Sequence, residues 1–345
     1  MTEKGMYSAE QLKEFCVKLL KSVIPNDEDC LYIVECLVQA NLRGVDTHGV
    51  VRLATYYNRF KTINWKSPEL ISDNMATALF DGNNAPGQIC GRKAMDLAIK
   101  KADQYGIGIA GVKNSNHFGT AAYYSMLATE KGMVGFTFSN SSPRLAPWGG
   151  KEPVLGNNPW SFSFPTQKGF PITLDMSNSV VAAGKIRQAA AKGEKIPLGW
   201  ATDKEGNITQ NAEEALKGLL LPIGDHKGYG ITLVVDLLSG VLTGSGFGPQ
   251  IKRIDDTGYA QKVGHLFGAI KISNFMPMEM FYERIDHFAD LIKNSEKAPG
   301  TKELYLPGEI EYQISKKRLI NGIPLSEDAI SKLNKLAKEL GIEKI

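Results

Sequence analysis

Between Gly91 and Asn140 the sequence alternates twice between helix and strand. "GRKAMDLAIKKADQYG" leads into "IGIAGV", and "TAAYYSMLATEKG" leads into "MVGFTFSN". Two successive switches from a 3.6-residue period to a short β-rich run confine the chain to α/β architectures, because each helix must bury its apolar stripe on a sheet. Further strands are predicted at "WSFSFPT", which alternates strictly, at the short apolar run "PITLDMS", and at "HLFGAIKI".

The first hundred residues read as helices. Ser8 with Gln11 forms a capping box ahead of Leu12, Phe15, Cys16, Leu19, Leu20 and Val23. A second helix is expected from about Glu28 to Leu42, closed by Gly44, and a third from Asp46 or Thr47. Later helices are predicted around "VVAAGKIRQAAAK", "KGYGITLVVDLLSGVL", "MEMFYERIDHFADLIKN" and "LSEDAISKLNKLAKEL". No linker separates the parts and no period of 20–50 residues repeats. The expected organisation is a helical layer (residues 1–80), a central α/β domain (81–275) and a C-terminal helical segment (276–345) returning to the first layer.

Charge narrows the function classes. Lys and Arg number 40 against 37 Asp and Glu, a formal +3 with no basic run, so nucleic acid is not an expected partner. "MTEKGMYSAEQLKEF" lacks an apolar leader and no stretch of 18 apolar residues occurs, so neither secretion nor membrane insertion is expected. Cys16, Cys30, Cys36 and Cys90 show no C-x-x-C spacing, and reduced core thiols in a cytoplasmic protein are the economical reading.

Several familiar motifs fail. "GIGIAG" matches the dinucleotide fingerprint letter for letter, but that fingerprint must leave a strand and open a helix. Here the glycines follow a helix and interleave with residues that look like the strand itself. No Walker A sequence, H-E-x-x-H or G-x-S-x-G occurs, so no metal site or serine nucleophile is expected.

Two histidine-bearing stretches survive. In "DTHGVVRLATYY", a continuous helix would set His48, Arg52 and Tyr56 on one stripe at i, i+4 and i+8, with apolar Val50, Val51, Leu53 and Ala54 opposite. Base, cation and phenol would then share a face near a helix N-terminus that favours an anion. Taken alone, the stretch reads first as a capped surface helix with a solvated His and Arg. "NSNHFG" puts His117 where a strand should end and a loop begin, among Asn114, Ser115 and Asn116 instead of apolar neighbours. "LGNNPWSF", "LDMSNS", "PIGDHKGYG" and "LPGEIE" each place small, amide or charged residues at turns, where Gly156, Gly224, Gly228 and Gly308 would let backbone approach a ligand closely. Singly, each reads first as a plain turn.

In order, "DTHGVVR", "NSNHFGTAAYYS", "GNNPWSF", "LDMSNSVVAAGKI", "PIGDHKGYG" and "LPGEIE" span essentially the whole chain. With them the sequence resembles the malate/L-lactate dehydrogenase family of NAD(P)-dependent oxidoreductases. That family is distinct from the Rossmann-fold lactate and malate dehydrogenases, and includes ureidoglycolate dehydrogenase, sulfolactate dehydrogenase and diketogulonate reductase. The resemblance implies a non-Rossmann fold, which accounts for the missing fingerprint. It implies that Thr47, His48, Arg52 and Tyr56 face the substrate and that His117 lies beside the reacting carbon. It implies cofactor contacts at Asn140, at Asp175, Met176 and Ser177, at His226 and Lys227, and at Pro307, Gly308 and Glu309. Many relatives have Ser where this chain has Thr47, whose extra methyl tightens the pocket.

The expected function is hydride transfer between NAD(P), with NAD favoured, and C2 of a small 2-hydroxy/2-oxo acid, in a homodimer. Malate/oxaloacetate leads; ureidoglycolate, lactate, diketogulonate or a cyclic imino acid are alternatives. Acid/base duty stays open between His48 and His117, and the cation for a second carboxylate among Arg144, Lys185 and Arg187. A nucleotide-binding regulator without turnover is the rival from another class.

Overall fold

A computed structural model describes residues 5–345; Met1–Lys4, at the start of the stretch read as lacking a leader, lie outside the described residues. The elements run β1 (Met6–Tyr7), α1 (Ala9–Leu20), α2 (Asp27–Leu42), α3 (Leu53–Thr62), β2 (Glu69–Asn74), β3 (Thr77–Asp81), α4 (Gly87–Tyr105), β4 (Ile107–Ser115), α5 (Ala121–Thr129) and β5 (Met133–Ser139). There follow β6 (Trp160–Phe164), β7 (Ile172–Met176), α6 (Ala183–Ala191), α7 (Ala212–Lys217), α8 (His226–Asp236), β8 (Val263–Lys271), α9 (Met278–Lys293), α10 (Glu309–Asn321), β9 (Ile323–Pro324) and α11 (Glu327–Glu339).

Seven strands form one mixed sheet in the order β2-β3-β4-β8-β5-β6-β7, with β3 and β4 parallel and the other neighbours antiparallel. The "GIGIAG" stretch runs from the end of α4 into β4, with Gly108 and Gly111 in the strand, as its place after a helix predicts. Gly106 ends α4 at φ +87°. Gly108 lets α4 lie against β4, since a Cβ there would sit 2.0 Å from the Ala98 carbonyl oxygen. Gly135 gives α5 the same access to β5.

The opposite chain end supplies part of the helical layer. Leu333, Leu336 and Ala337 of α11 share a core with Leu12, Leu19, Ile33, Leu37, Leu53 and Tyr56, and β1 pairs with β9. The Ser8–Gln11 capping box is present as read. A third, smaller core lies under α6 and α7, around Leu145, Ile186, Ala201 and Leu220.

Four features differ from the sequence expectations. Residues 69–81 are not helical: β2 and β3 form a hairpin on the sheet edge, burying Ala78 and Phe80 on alternate positions. The third helix begins only at Leu53, after two 3₁₀ turns at Asp46–His48 and Val50–Arg52 separated by an extended Gly49. The turn at Gly308 opens helix α10, whose Ile310, Ile314, Leu319 and Ile320 do not collect on one face. The α8 helix widens into a π turn at Leu237–Val241.

Arg59 ties the helical layer to the sheet. It is fully buried on α3; its Nε donates to Asn116 Oδ1 (2.6 Å), Nη1 to the carbonyls of Ile254 (3.2 Å) and Asp256 (3.1 Å), and Nη2 to that of Tyr259 (3.0 Å). Replacing this fork with an apolar chain of similar length leaves those acceptors without a donor. Arg59→Met should therefore lower unfolding free energy by about 2–4 kcal/mol, measured by urea titration monitored through tryptophan fluorescence. An unchanged midpoint would contradict the bracing role.

Candidate active site

β4 ends at Ser115, and the chain turns through Asn116 to present His117. Asn116 is locked by Arg59 on its oxygen and donates through Nδ2 to the carbonyls of Asn84 (2.8 Å) and Ala85 (3.0 Å). His117 N–H donates to Gln261 Oε1 (2.9 Å), delivered by the same 251–262 segment that Arg59 holds. Below it, fully buried His265 donates through Nε2 to the Asn116 carbonyl (3.2 Å) and stacks on Phe118 at 4.6 Å.

The turn carrying Thr47 and His48 is strapped from the other side. Asn41 Oδ1 accepts from Val50 N–H (2.8 Å), Asn41 Nδ2 donates to Asp46 (2.6 Å), and Arg318 of α10 forms a two-pronged pair with Asp46. Gly49 is required by close approach, because a Cβ would sit 2.1 Å from Asn41 Oδ1.

His48, Arg52 and Tyr56 thus do not form one helical stripe, because Gly49 interrupts it. Folding nonetheless brings His48 and Tyr56 to His117. The two imidazoles stack with centroids 5.7 Å apart and planes inclined by 18°. The Tyr56 hydroxyl lies 2.7 Å from His117 Nδ1. Gly119 N–H also points at that nitrogen (3.3 Å), and a backbone amide can only donate. Nδ1 is therefore the lone-pair nitrogen, Tyr56 donates to it, and the ring hydrogen sits on Nε2. Among the described residues, neither histidine's Nε2 has a hydrogen-bond partner. His48 Nδ1 meets Thr47 Oγ1 (3.0 Å), and Arg52 Nε donates to the Thr47 carbonyl (2.8 Å).

Both rings are held neutral. Burial first, then the Arg52 charge, push His48 down to about 4; burial, then His48, Arg52 and His265, push His117 well below its ordinary value. Burial also raises the Tyr56 phenol, so it serves as a hydrogen-bonding group and not as an acid. Thr47, Arg52, Arg187 and Lys332 line one cavity of about 250 Å³; Lys185, His48 and His117 are not part of that lining.

Of the residues implied as cofactor contacts, Asp175 to Ser177 lie at the end of β7, and the Pro307 carbonyl pairs with that strand. Thr173 N–H donates to the Pro307 carbonyl (2.9 Å), Ile223 N–H to that of Asn178 (2.9 Å), and Asp175 Oδ2 accepts from Ala122 N–H in the first turn of α5 (3.1 Å). His226 and Lys227 are exposed in the uncapped first turn of α8, next to Gly224 with open space around it and Asp225 strained at φ +58°. An uncapped helix N-terminus with a lysine fits a dinucleotide's phosphates.

Two of the implied cofactor residues have side chains bound within the protein. Asn140 spends its whole amide inside the protein, on Asp236 (2.9 Å), Gly246 O (2.9 Å) and Gly264 N–H (2.9 Å). Glu309 is bound by Lys293 (2.6 Å) and Leu306 N–H (2.9 Å). Both side chains brace neighbouring segments. Gly156, Gly228 and Gly308 approach protein atoms of Ser141, Ile223 and Thr173. Arg59, Gln261 and His265 escaped sequence reading because each sits in a stretch whose local pattern reads as helix, loop or strand.

A protein-family model for malate/L-lactate dehydrogenase matches residues 7–334. The chain belongs to the malate/L-lactate dehydrogenase family. The malate dehydrogenase of Pyrococcus abyssi is 40% identical, over 97% of this chain and 94% of that protein. The solved sulfolactate dehydrogenase of Methanocaldococcus jannaschii superposes with a TM-score of 0.92 at 38% identity, over 98% of both chains. The malate dehydrogenase of Entamoeba histolytica gives 0.93 at 31% identity, over 99% of both. The chain is thus an NAD(P)-dependent 2-hydroxy/2-oxo acid oxidoreductase of the non-Rossmann type, with helices flanking a central mixed sheet. The family holds both NAD- and NADP-dependent members.

A histidine base works only when neutral, and a depressed pKa keeps it so to lower pH. In the oxidation direction, kcat/KM should lose activity to histidine protonation only at pH well below the ordinary histidine value. Burial, with a smaller push from Glu311 and against the opposing pull of Ala122 N–H and Arg43, raises the Asp175 carboxyl to about 6. An inflection near pH 6 should vanish in Asp175→Asn. One that persists at the ordinary histidine value in that variant contradicts the assignment.

Proposed function

We propose that this enzyme interconverts malate and oxaloacetate, with NAD as the cofactor. The observation that carries the reading is that Arg52 and Arg187 line one cavity together with Thr47 and Lys332, beside the turn that carries His48, and so offer two guanidinium groups to a substrate with two carboxylates. Arg52 spends only Nε on the protein, so its two Nη groups are available as a planar fork for the C1 carboxylate. Arg187 then takes the second carboxylate. Half-buried Arg144 stands near Arg52, Arg187 and Arg253 with Asp255 as the opposing charge, and burial and these like charges lower its pKa. A dianion relieves that crowding. The malate dehydrogenase names of similar relatives point the same way.

We assign proton transfer to His117, because its Nδ1 is backed by Tyr56 while Nε2 is open. His48, stacked beside it, helps hold the substrate oxygen. The cofactor, when bound, supplies or accepts the hydride at C2. Thr47, Arg52 and Arg187 orient the acid so that its C2 oxygen meets His117 Nε2. The Nδ1–H tautomer takes the hydroxyl proton there in oxidation to become imidazolium, and the imidazolium returns it in reduction, while the resting Nε2–H tautomer only donates a hydrogen bond to that oxygen. Asp175–Ser177, His226–Lys227 and the backbone of Pro307–Glu309 are the cofactor contacts in this reading. The carboxylates of Asp175 and Glu311 beside β7 favour NAD over the more negative NADP. Four buried free cysteines fit a cytoplasmic setting.

A homodimer completes the reading. The α8 helix and its π extension turn Thr232, Asp236, Ser239 and Thr243 inwards and Ile231, Val234, Leu237, Val241 and Leu242 outwards. A second copy covering that aliphatic face accounts for the inversion. Light scattering should give a dimer, and Val234→Asp with Val241→Asp should give a monomer; a wild-type monomer with full activity would count against this.

Arg52→Lys keeps the charge and loses the fork, so kcat/KM for oxaloacetate should fall by about one to two decades, with Kd for NADH unchanged by fluorescence titration. Arg187→Leu should cost oxaloacetate far more than pyruvate, which has one carboxylate. Equal losses for both acids, or pyruvate preferred by the wild type, would sink the malate reading; tighter NADPH binding would reverse the cofactor choice.

A further inference from the structure

Helix α11 returns from the far end of the chain and packs on α3 and on the Val50–Arg52 turn. Its apolar stripe, Ala329, Leu333, Leu336 and Ala337, is buried, and the last three share one core with Leu53 and Tyr56. That stripe fixes where the flanking Lys332 goes: its side chain lines the cavity of Thr47, Arg52 and Arg187. Lys332 also lines an adjoining cavity of about 270 Å³ with Asn58 and Lys335, so open space lies on both sides of it. Among the described residues its one hydrogen bond goes to Asp328 Oδ2 (2.6 Å), one turn back on the same helix. Asp328 is part of neither lining.

Charge balance gives this pair a use, and the argument rests on the reading of the first cavity as the place of a substrate's two carboxylates. Among the described residues, Arg52, Arg187 and Lys332 line that cavity and no acid does. A 2-oxo acid with one carboxylate answers one of the three charges, and a second carboxylate answers another. Both partners of the Lys332–Asp328 pair are exposed, and an ion pair in that setting is held weakly. A lysine on a flexible four-carbon stem therefore leaves Asp328 for a carboxylate in the cavity at small cost.

We infer that Lys332 is a specificity-determining residue, which exchanges Asp328 for the distal carboxylate of the substrate. Before substrate binds, Asp328 holds the ammonium. With a dicarboxylate in place, Arg52 keeps the C1 carboxylate, and Arg187 and Lys332 share the distal one. A monocarboxylate gives Lys332 nothing to move to, so only the dianion gains. Selectivity arises as the difference between the two acids, and the groups that exchange the proton take no part in it. The same exchange makes Asp328 a competitor of the substrate.

Lys332→Gln removes the charge and keeps a polar side chain of similar reach. KM for oxaloacetate should rise about three- to fivefold, with the loss in KM and not in kcat. The ratio of kcat/KM for oxaloacetate to that for pyruvate should fall by the same factor, and Lys332→Arg should restore it. Asp328→Asn should act in the opposite direction, lowering KM for oxaloacetate, because the lysine then has no competing carboxylate. Lys335→Gln loses the same charge from the same helix outside that cavity, and should leave the ratio as it is. A ratio unmoved by Lys332→Gln, an equal fall in Lys335→Gln, or an unchanged or raised KM in Asp328→Asn overturns the proposal. Equal losses for both acids in Arg187→Leu overturn the reading of the cavity as well, whereas a selective loss there with none in Lys332→Gln overturns this proposal alone.

Discussion

The site depends on one buried cation. Arg59 carries its charge into the interior without a carboxylate on its nitrogens, and is solvated instead by a side-chain amide and three backbone carbonyls. A guanidinium can do this because its five N–H groups point in fixed, separate directions. Lysine, with one compact charge, could not span these acceptors. Through Asn116 the arginine orients the residue before His117, and through the 254–259 carbonyls it holds the segment that offers Gln261 to the His117 amide. The angle of the imidazole is thus set by groups from three distant parts of the chain.

The partner half of the cleft is held by similar means. His48 sits on a short 3₁₀ turn that could not keep its shape alone. Asn41 and Asp46 fasten it from within, and Arg318, 272 residues from Asp46, clamps it from the far end of the chain. The glycine inside "DTHGVVR" serves that fastening, by leaving room for an amide. Neutral imidazoles follow from the same enclosure: burial and the Arg52 charge keep both rings uncharged and available for proton exchange.

Much of the fold was legible because it rests on periodicity. The helix–strand units from Gly91 to Asn140, the capped first helix and the amphipathic α9 and α11 each repeat one local rule over enough residues to stand out. "ELISDN" and "TALFD" did not, because short edge strands carry few alternations and here follow a long helical run. The α10 helix was missed because its apolar residues are scattered around it. The α8 helix was found, but which of its faces points inwards runs against its hydrophobicity, and sequence pattern alone would turn it around.

The site was legible in its residue types and not in its geometry. Histidine, arginine and tyrosine within "DTHGVVR" and "LATYY" read by themselves first as a surface helix, and acid/base chemistry on an anionic substrate came from the family resemblance that these words carry together with "NSNHFG". The predicted helical stripe was wrong, although His48 and Tyr56 do meet His117. Chemistry travels with side-chain identity and is written locally. Tautomer, charge state and the division of labour between Arg144, Lys185 and Arg187 depend on which groups from 50 to 270 residues away come within about 3 Å. Only the packed chain decides that, because hydrogen bonds and desolvation act through space.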